Sequence, residues 1–203
     1  MIWAIIPVKP LLESKSRLAH ILSAAQRAGL MRRFLQNTLA VLAQVPSIAQ
    51  TLVISSDPIV LALAQSYGAE TIAEERAQGL NTAVARAAQS AMQQHASGLL
   101  ILPADLPFIQ VGDVTTMVET RRRVNGRFMA ICTDDKEDGT NALFIMPPTQ
   151  FTYRYGLGSF RSHIQEATRL GLDVHIIRTP GLTFDLDTEE DWQQYQHELT
   201  VQL

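Results

Sequence analysis

The stretch Gly98 to Pro107, GLLILPADLP, decides the fold. Leu99 to Leu102 are four apolar residues between two chain breakers, Gly98 and Pro103. A run so short and so uniformly apolar is the pattern of a strand buried on both faces, as in the middle of a parallel sheet. Pro103 and Pro107 fix φ and remove backbone donors, so the strand stops and a stiff turn follows. That turn presents one carboxylate, Asp105. Open α/β sheets bind ligands outside the carboxyl ends of their strands. Asp105 therefore has two readings, a ligand for metal or substrate and a plain capping residue.

Working outward from this strand, the chain alternates extended and helical patterns. Ile2 to Val8 is a β-rich start, and Leu30, Phe34, Leu35, Leu39 and Leu42 recur at helical spacing over roughly 24–44, after a capping-box pair Ser23 and Gln26. Leu52 to Ile54 is a strand, capped off by Asp57-Pro58 ahead of a helix to about Tyr67. Ala69 to Ile72 is a strand, and Gly79-Leu80-Asn81 opens a helix of Ala and Gln to about Gln94. Beyond PADLP, Asp113 is expected to cap a helix to Arg123. Phe128–Cys132 and Ala142–Met146 are strands around the polar loop TDDKEDGTN. Ser159 to Leu170 is a helix, Val174 to Ile177 a strand, FDLD at 184–187 a shorter strand, and Thr188 caps a last helix. The early β-α-β-α-β-α-β order predicts a parallel sheet covered by helices on both faces, and the two strands around TDDKEDGTN a paired insertion in the second half. No linker or repeat interrupts residues 1–203, which read as a single domain.

Composition excludes several classes. The chain is 46% hydrophobic and 18% charged with a net charge of −3, which is a core-forming composition with no nucleic-acid footprint. No apolar run approaches the ~20 residues of a membrane span, and MIWAIIPVKP lacks a signal-peptide pattern. One cysteine, Cys132, sits in the apolar run FMAIC and reads as a buried strand residue. These features predict a cytoplasmic protein that partners neither membrane nor nucleic acid. There is no GxxxxGK[ST] loop, and GLG at 156–158 continues into Arg161 where a dinucleotide fingerprint needs glycine.

The polar residues that remain collect at strand ends. Asp185 and Asp187 form a D-x-D; on a strand, i and i+2 share a face, so both can meet one cation. Oxygen donors suit Mg²⁺, commonly held by one or two carboxylates plus substrate phosphates. Against this, Asp187 can simply serve the helix start that follows. Lys9, Lys15 and Arg17 crowd the loop after the first strand and suit phosphate binding, or else form a solvated basic loop. Thr140 follows Gly139; Gly156 and Ser159 lie at a helix N-terminus, an anion site or ordinary turn chemistry. His163, one helical turn after Ser159, faces the same way. Asn81 reads as a cap or a base contact. Together these suit nucleotidyl transfer, in which positioning and charge neutralisation do most of the work.

PVKPLLESKSRLA, GLN at 79–81, PADLP, GTNAL at 139–143, YGLGSFRSH at 155–163 and DLDTEEDW at 185–192 resemble, in order and over nearly the whole chain, the 2-phospho-L-lactate / phosphoenolpyruvate guanylyltransferase family of coenzyme F-420 biosynthesis. PADLP and D-x-D are shared more widely. The resemblance implies a three-layer α/β/α, Rossmann-like domain of nucleotide-diphospho-sugar-transferase type with a mostly parallel, mixed sheet. It implies transfer of GMP from GTP to a small phosphorylated carboxylic acid, with release of pyrophosphate. By motif match, Asp105, Asp185 and Asp187 would hold Mg²⁺, and Lys15, Arg17 and Asp105 would serve the reaction. Thr140, Gly156 and Ser159 would bind the acceptor, with Lys9 and His163 beside them. Pro7, Val8, Gly79, Leu80, Asn81, Pro103 and Ala104 would meet the nucleotide. Phosphoenolpyruvate is favoured over 2-phospho-L-lactate on the more bacterial character of the sequence, with 3-phosphoglycerate a third acceptor. Two alternatives stand beside this reading. One is a molybdenum-cofactor guanylyltransferase, whose LAGGxxxRMGxxK start is replaced here by VKPLLESKSRLA. The other is a non-catalytic nucleotide-binding protein of the same fold. Three departures stand out: Tyr155 where Phe is usual, Glu189 where Pro often follows, and the acids Glu137 and Asp138 before GTN. A homodimer is the default expectation for assembly.

Overall fold

Short apolar runs bury themselves by pairing side by side and being covered above and below. The computed structural model describes residues 1–76 and 78–201. Its strands are β1 (Ile2–Pro7), β2 (Ile48–Ser55), β3 (Glu70–Ala73), β4 (Gly98–Ile101), β5 (Phe128–Cys132), β6 (Ala142–Met146) and β7 (Asp173–Ile176). They form one sheet in the order β3-β2-β1-β4-β6-β5-β7. Only β6 runs against its neighbours, pairing antiparallel with β4 and β5. The helices are α1 (Ala24–Ala43), α2 (Pro58–Ser66), α3 (Leu80–Gln93), α4 (Val111–Glu119), α5 (Ser159–Arg169), α6 (Pro180–Thr183) and α7 (Glu189–Val201).

The two-sided burial expected of GLLILP is observed residue by residue. Leu99 and Ile101 point into one core with Trp3, Ile5, Met129 and Leu143, under α3 and α5. Leu100 and Leu102 point into the other with Ala4, Ile6, Phe128 and Phe144, under α1, α2, α4 and α7. Each such side chain contributes roughly 1.5–3 kcal/mol on burial, so the period-two alternation fixes which residues remain at the strand ends. The result is a three-layer α/β/α arrangement with a mostly parallel, mixed sheet. Cys132 lies in the core, and burial pushes its thiol up to about 11. No helix among the described residues is long and apolar enough to cross a membrane.

The reversed β6 matters for the site. Its N-terminal end lies at the same sheet edge as the C-terminal ends of β1, β4 and β5. The hairpin loop 133–141 therefore hangs over that edge. Within it the Asp134 carboxylate accepts from the N–H groups of Asp138 (2.9 Å) and Gly139 (3.0 Å). A Cβ at Gly139 would lie 2.8 Å from Asp134 Oδ2, so any larger residue there would push that carboxylate aside.

Two sequence expectations change. Asp113 is not the N-cap of α4. Gln110 is, and Asp113 sits at the third helical position, where its carboxylate accepts from Gln110 N at 2.8 Å. The helix ends at Glu119, and a 3₁₀ turn carries the chain to Arg122. FDLD is not a strand. The N–H groups of Asp187 and Thr188 go to the Asp191 carboxylate (2.9 and 2.7 Å) instead of a sheet ladder. The alternation survives, because Phe184 and Leu186 enter the core while Asp185 and Asp187 stay half-buried at the edge.

Candidate active site

Five carboxylates line one pocket at the carboxyl edge, Asp134 and Asp138 from the 133–141 loop and the three that the sequence singled out. Asp105 comes from the turn after β4, and Asp185 and Asp187 from the segment before α7; all three line a cavity with Arg17, Thr140, Tyr155, Gly156 and Ser159. Burial, followed by the charges of Asp105 and Asp187, pushes the Asp185 carboxyl up to about 7. Lys15 answers the other two. Its ammonium donates to Asp105 Oδ2 at 2.6 Å and to Asp187 Oδ1 at 2.8 Å. Burial works to lower its pKa, but the two carboxylates outweigh that and hold it above the ordinary lysine value. Burial likewise works to raise the Asp187 carboxyl, and Lys15, with Arg17 and Lys9, more than reverses it. The Lys15 side chain is only 3% exposed, so it is not a free phosphate clamp as its place in a basic loop suggested. Arg17, 3.8 Å from Asp187, is the exposed cation at the pocket mouth.

The loop that carries these cations is a packed structure. Leu11, Leu18 and Leu22 enter the core. Leu11 N donates to the Asp57 carboxylate at 3.0 Å, while the same carboxylate caps α2 through Ile59 N at 2.9 Å. Lys15 itself takes the left-handed conformation, φ +53°, which an L side chain adopts at a cost of about 1–2 kcal/mol.

Beside the carboxylates lies a mostly apolar slot, lined by Pro7, Val8, Ile54, Gly79, Leu80 and Ala83, with Lys9, Glu13, Ser56 and Glu74 as its polar groups. Pro7 and Leu80 line both cavities, so the two adjoin. Gly79 adopts φ +91° at the start of α3, a conformation that suits glycine. Lys9 belongs to this slot and not to the pocket with Thr140, where the sequence put it. Pro103 lines the carboxylate pocket; Ala104 lines neither cavity and packs in the core.

On the far side, Thr140 and Ser159 place their hydroxyls 3.2 Å apart at the pocket wall. His163 does not reach the pocket. It is fully buried, its Nδ1 3.0 Å from Thr140 Oγ1 and its Nε2 accepting from Arg154 N at 3.0 Å. Burial lowers its pKa to about 4, so the ring is neutral near pH 7. Nor is the start of α5 an open anion site. The Asp138 carboxylate accepts from Gly158 N (3.1 Å to each oxygen), its backbone carbonyl accepts from Phe160 N at 3.0 Å, and Ser159 N is bonded to Gly156 O at 3.1 Å. Asp138 thus caps the helix from the neighbouring loop, and Glu137 turns outward to Arg178 at 2.5 Å. The two acids before GTN are accounted for in this way. Asn81 is not the cap of α3, whose N-cap is Gly79. Its amide grips Tyr155 on both sides, accepting from Tyr155 N at 2.6 Å and donating to Tyr155 O at 3.3 Å.

The sequence did not single out Glu13, Ser56 or Glu74 as slot residues. A carboxylate at the tip of an apolar strand end was the available signal for Glu74, which follows β3 directly. Nor was Asn141 assigned; its amide donates to Thr183 O at 3.2 Å and braces the segment that carries Asp185.

A metal ion tests the donor set. Among the described residues no group of three or more His, Cys, Asp or Glu side chains stands closely enough to hold a metal ion ready-made. The Lys15 ammonium bridges two of the carboxylates. The chemistry still fits Mg²⁺, which needs only one or two carboxylates when phosphates complete its shell. Asp185, with its carboxyl held up to about 7 by burial and its two acidic neighbours, is the group a divalent cation would relieve.

This fold and this edge define the class. The chain is similar to a crystal structure assigned to the nucleotide-diphospho-sugar transferases, from Desulfovibrio desulfuricans, with a TM-score of 0.75 at 17% identity over 96% of this chain and 85% of that one. It therefore has the nucleotide-diphospho-sugar-transferase-like fold. The family model described as "Guanylyl transferase CofC like" matches residues 2–196, and the chain belongs to that family. It is 38% identical, over 94% of this chain and 91% of the other, to the phosphoenolpyruvate guanylyltransferase of Rubrobacter xylanophilus. It is 33% identical, over 93% and 81%, to the 2-phospho-L-lactate guanylyltransferase of Methanothermobacter thermautotrophicus.

Proposed function

We propose that the chain transfers GMP from GTP to the phosphate of a three-carbon phospho-acid, phosphoenolpyruvate in preference, and releases pyrophosphate, on the route to coenzyme F-420. The observation that carries this is the gathering of Asp105, Asp185 and Asp187 in a pocket that adjoins an apolar slot and has a hydroxyl pair in its wall, in a member of a guanylyl transferase family. The slot suits a purine ring. Glu13 and Glu74, neither of which forms an ion pair among the described residues, offer acceptors for the N–H groups on the edge of guanine. Lys9 and Arg17 lie where the triphosphate would pass between the two cavities.

An oxygen of the acceptor's phosphate attacks the α-phosphorus of GTP. The bond from that phosphorus to the bridging oxygen breaks, and pyrophosphate leaves with the electron pair. The attacking phosphomonoester has a second pKa of about 6 and is already ionised near neutral pH, so no general base is needed. That agrees with a pocket whose neutral histidine is turned away from it. Thr140 and Ser159 hold the acceptor, and Arg17 meets charge on the leaving group. Asp105, Asp185 and Asp187 would hold Mg²⁺, which supplies charge neutralisation and alignment of the phosphates.

The test is pyrophosphate release with GTP and Mg²⁺, with phosphoenolpyruvate, 2-phospho-L-lactate and 3-phosphoglycerate supplied one at a time and the product mass measured. Release with phosphoenolpyruvate, and a product equal to the acid plus GMP, is expected. Folded protein that releases pyrophosphate with none of the three sinks the proposal.

A further inference from the structure

The Thr140–Ser159 pair has an ambiguity that the surrounding structure resolves. Two hydroxyls 3.2 Å apart carry two protons, and one of them makes the bond between them. Whether the second is left for a ligand depends on the third member, His163 Nδ1, 3.0 Å from Thr140 Oγ1. If Nδ1 accepted, Thr140 would donate to it and Ser159 would donate to Thr140. Both protons would then be consumed inside the protein. If Nδ1–H donates, Thr140 receives that proton, and one hydroxyl proton of the pair remains for the pocket.

Arg154 decides between these. Its backbone N–H donates to His163 Nε2 at 3.0 Å, so that nitrogen carries a lone pair and the ring proton sits on Nδ1. Turning the ring over would put Cδ2 in the place of Nδ1 and Cε1 in the place of Nε2 and lose both hydrogen bonds, and the ring is fully buried between Phe151 and Tyr155, at centroid distances of 5.7 and 4.8 Å. A doubly protonated ring would set two donors, Nε2–H and Arg154 N–H, against each other. The low pKa of His163, caused first by burial, agrees with a neutral ring.

We propose that His163 is a positioning residue for the acceptor: fixed as its Nδ1–H tautomer by the Arg154 backbone, it donates to Thr140 and so turns one hydroxyl proton of the Thr140–Ser159 pair toward an anionic oxygen in the pocket. This rests on the reading that the pair binds the phospho-acid. It goes beyond it in making the donor count of that subsite a property of a side chain that never touches the ligand. It also gives a histidine a role among aromatic rings where a leucine would pack.

Leucine and asparagine separate the two roles, since they are nearly isosteric and both abandon Arg154 N–H. His163→Asn keeps a donor at the Nδ1 position, whereas His163→Leu keeps only apolar bulk. With phosphoenolpyruvate as the acceptor probe, His163→Leu is expected to raise its KM about tenfold or more, and His163→Asn to stay within about threefold of wild type. The KM for GTP should move less than about twofold in both. A purely packing role reverses the order, because leucine suits the apolar surroundings better. An equal or lower phosphoenolpyruvate KM for His163→Leu than for His163→Asn overturns the proposal. The tautomer is read independently of activity from the ¹⁵N shifts of the His163 ring in labelled wild-type protein. An Nδ1-protonated neutral ring supports the proposal, and an Nε2-protonated or cationic ring at pH 7 overturns it. If no phospho-acid supports turnover, the proposed reaction fails, and the ring spectrum still decides the tautomer.

Discussion

Replacing Lys15 with methionine removes the buried cation between Asp105 and Asp187 and keeps the apolar stem. Lys15 Nζ contacts Asp105 at 2.6 Å and Asp187 at 2.8 Å, with side-chain exposures of 3%, 25% and 44% for the three partners. Breaking a fully buried pair by removing one partner costs about 3–5 kcal/mol, because it strands the other charge. Here both carboxylates reach water, so we take a smaller cost of about 2–3 kcal/mol. The left-handed backbone at residue 15, φ +53°, is equally unfavourable for Lys and Met and cancels. For a chain of 203 residues, about 2–4 °C per kcal/mol gives a fall in Tm of about 4–12 °C. The assay is thermal unfolding in chelator and again in excess Mg²⁺. In chelator the variant should melt lower by that amount. In Mg²⁺ the gap should at least halve, because a divalent cation takes over the compensation that the ammonium supplied. A variant that melts with wild type in chelator would refute the account of Lys15. A gap that does not narrow in Mg²⁺ would refute the assignment of Asp105 and Asp187 to the same cation.

Three further outcomes follow from the same geometry. Asp185→Asn should abolish turnover yet stabilise the metal-free protein: a carboxyl raised from 3.8 to about 7 opposes folding once pH exceeds the unfolded value, fully so above about 7, by up to about 4 kcal/mol. Melts in chelator should therefore show a gain at pH 8 that disappears near pH 4, and a loss at both pH values contradicts the electrostatics. Glu166→Gln breaks the ion pair to Arg169 at 2.7 Å while leaving an oxygen for Thr152 N, and should cost about 1 kcal/mol at pH 7, given that Arg169 is exposed. Hydrogen bonding to Arg169 holds the Glu166 carboxyl down to about 2 from 4.5, so this contribution is complete above pH 4.5 and fades as pH falls through 2; urea midpoints that differ equally at pH 7 and pH 2 speak against it. Asn81→Asp replaces the amide that clamps Tyr155 with a group that repels Tyr155 O, and should raise the phosphoenolpyruvate KM by about three- to tenfold, since one hydrogen bond becomes a repulsion; a change confined to the GTP KM would mean that Asn81 acts on the nucleotide instead.

The contrast between what the sequence showed and what it hid has one physical cause. Leu99 to Leu102 could be read because a strand's period is local, and both cores merely repeat it. Asp105, Asp185 and Asp187 could be placed at one edge for the same reason. Even where FDLD lost its ladder, burial of Phe184 and Leu186 kept its acids facing outward. What local pattern cannot state is whether a polar group arriving at that edge is free or already bonded. Lys15 meets partners 90 and 172 residues away, and Asn81 one 74 residues away. Asp138 spends its carboxylate on the N-cap of a helix, Gly158, 20 residues later. In each case the residue type announced the chemistry and a long-range partner changed the role: a phosphate clamp became a brace between carboxylates, an expected helix cap became a loop clamp, and an acid near an anion pocket became a cap. His163 shows the same logic furthest from the ligand. Its position after Ser159 pointed to the acceptor. The Arg154 N–H opposite its other nitrogen makes it act through Thr140 instead of by contact.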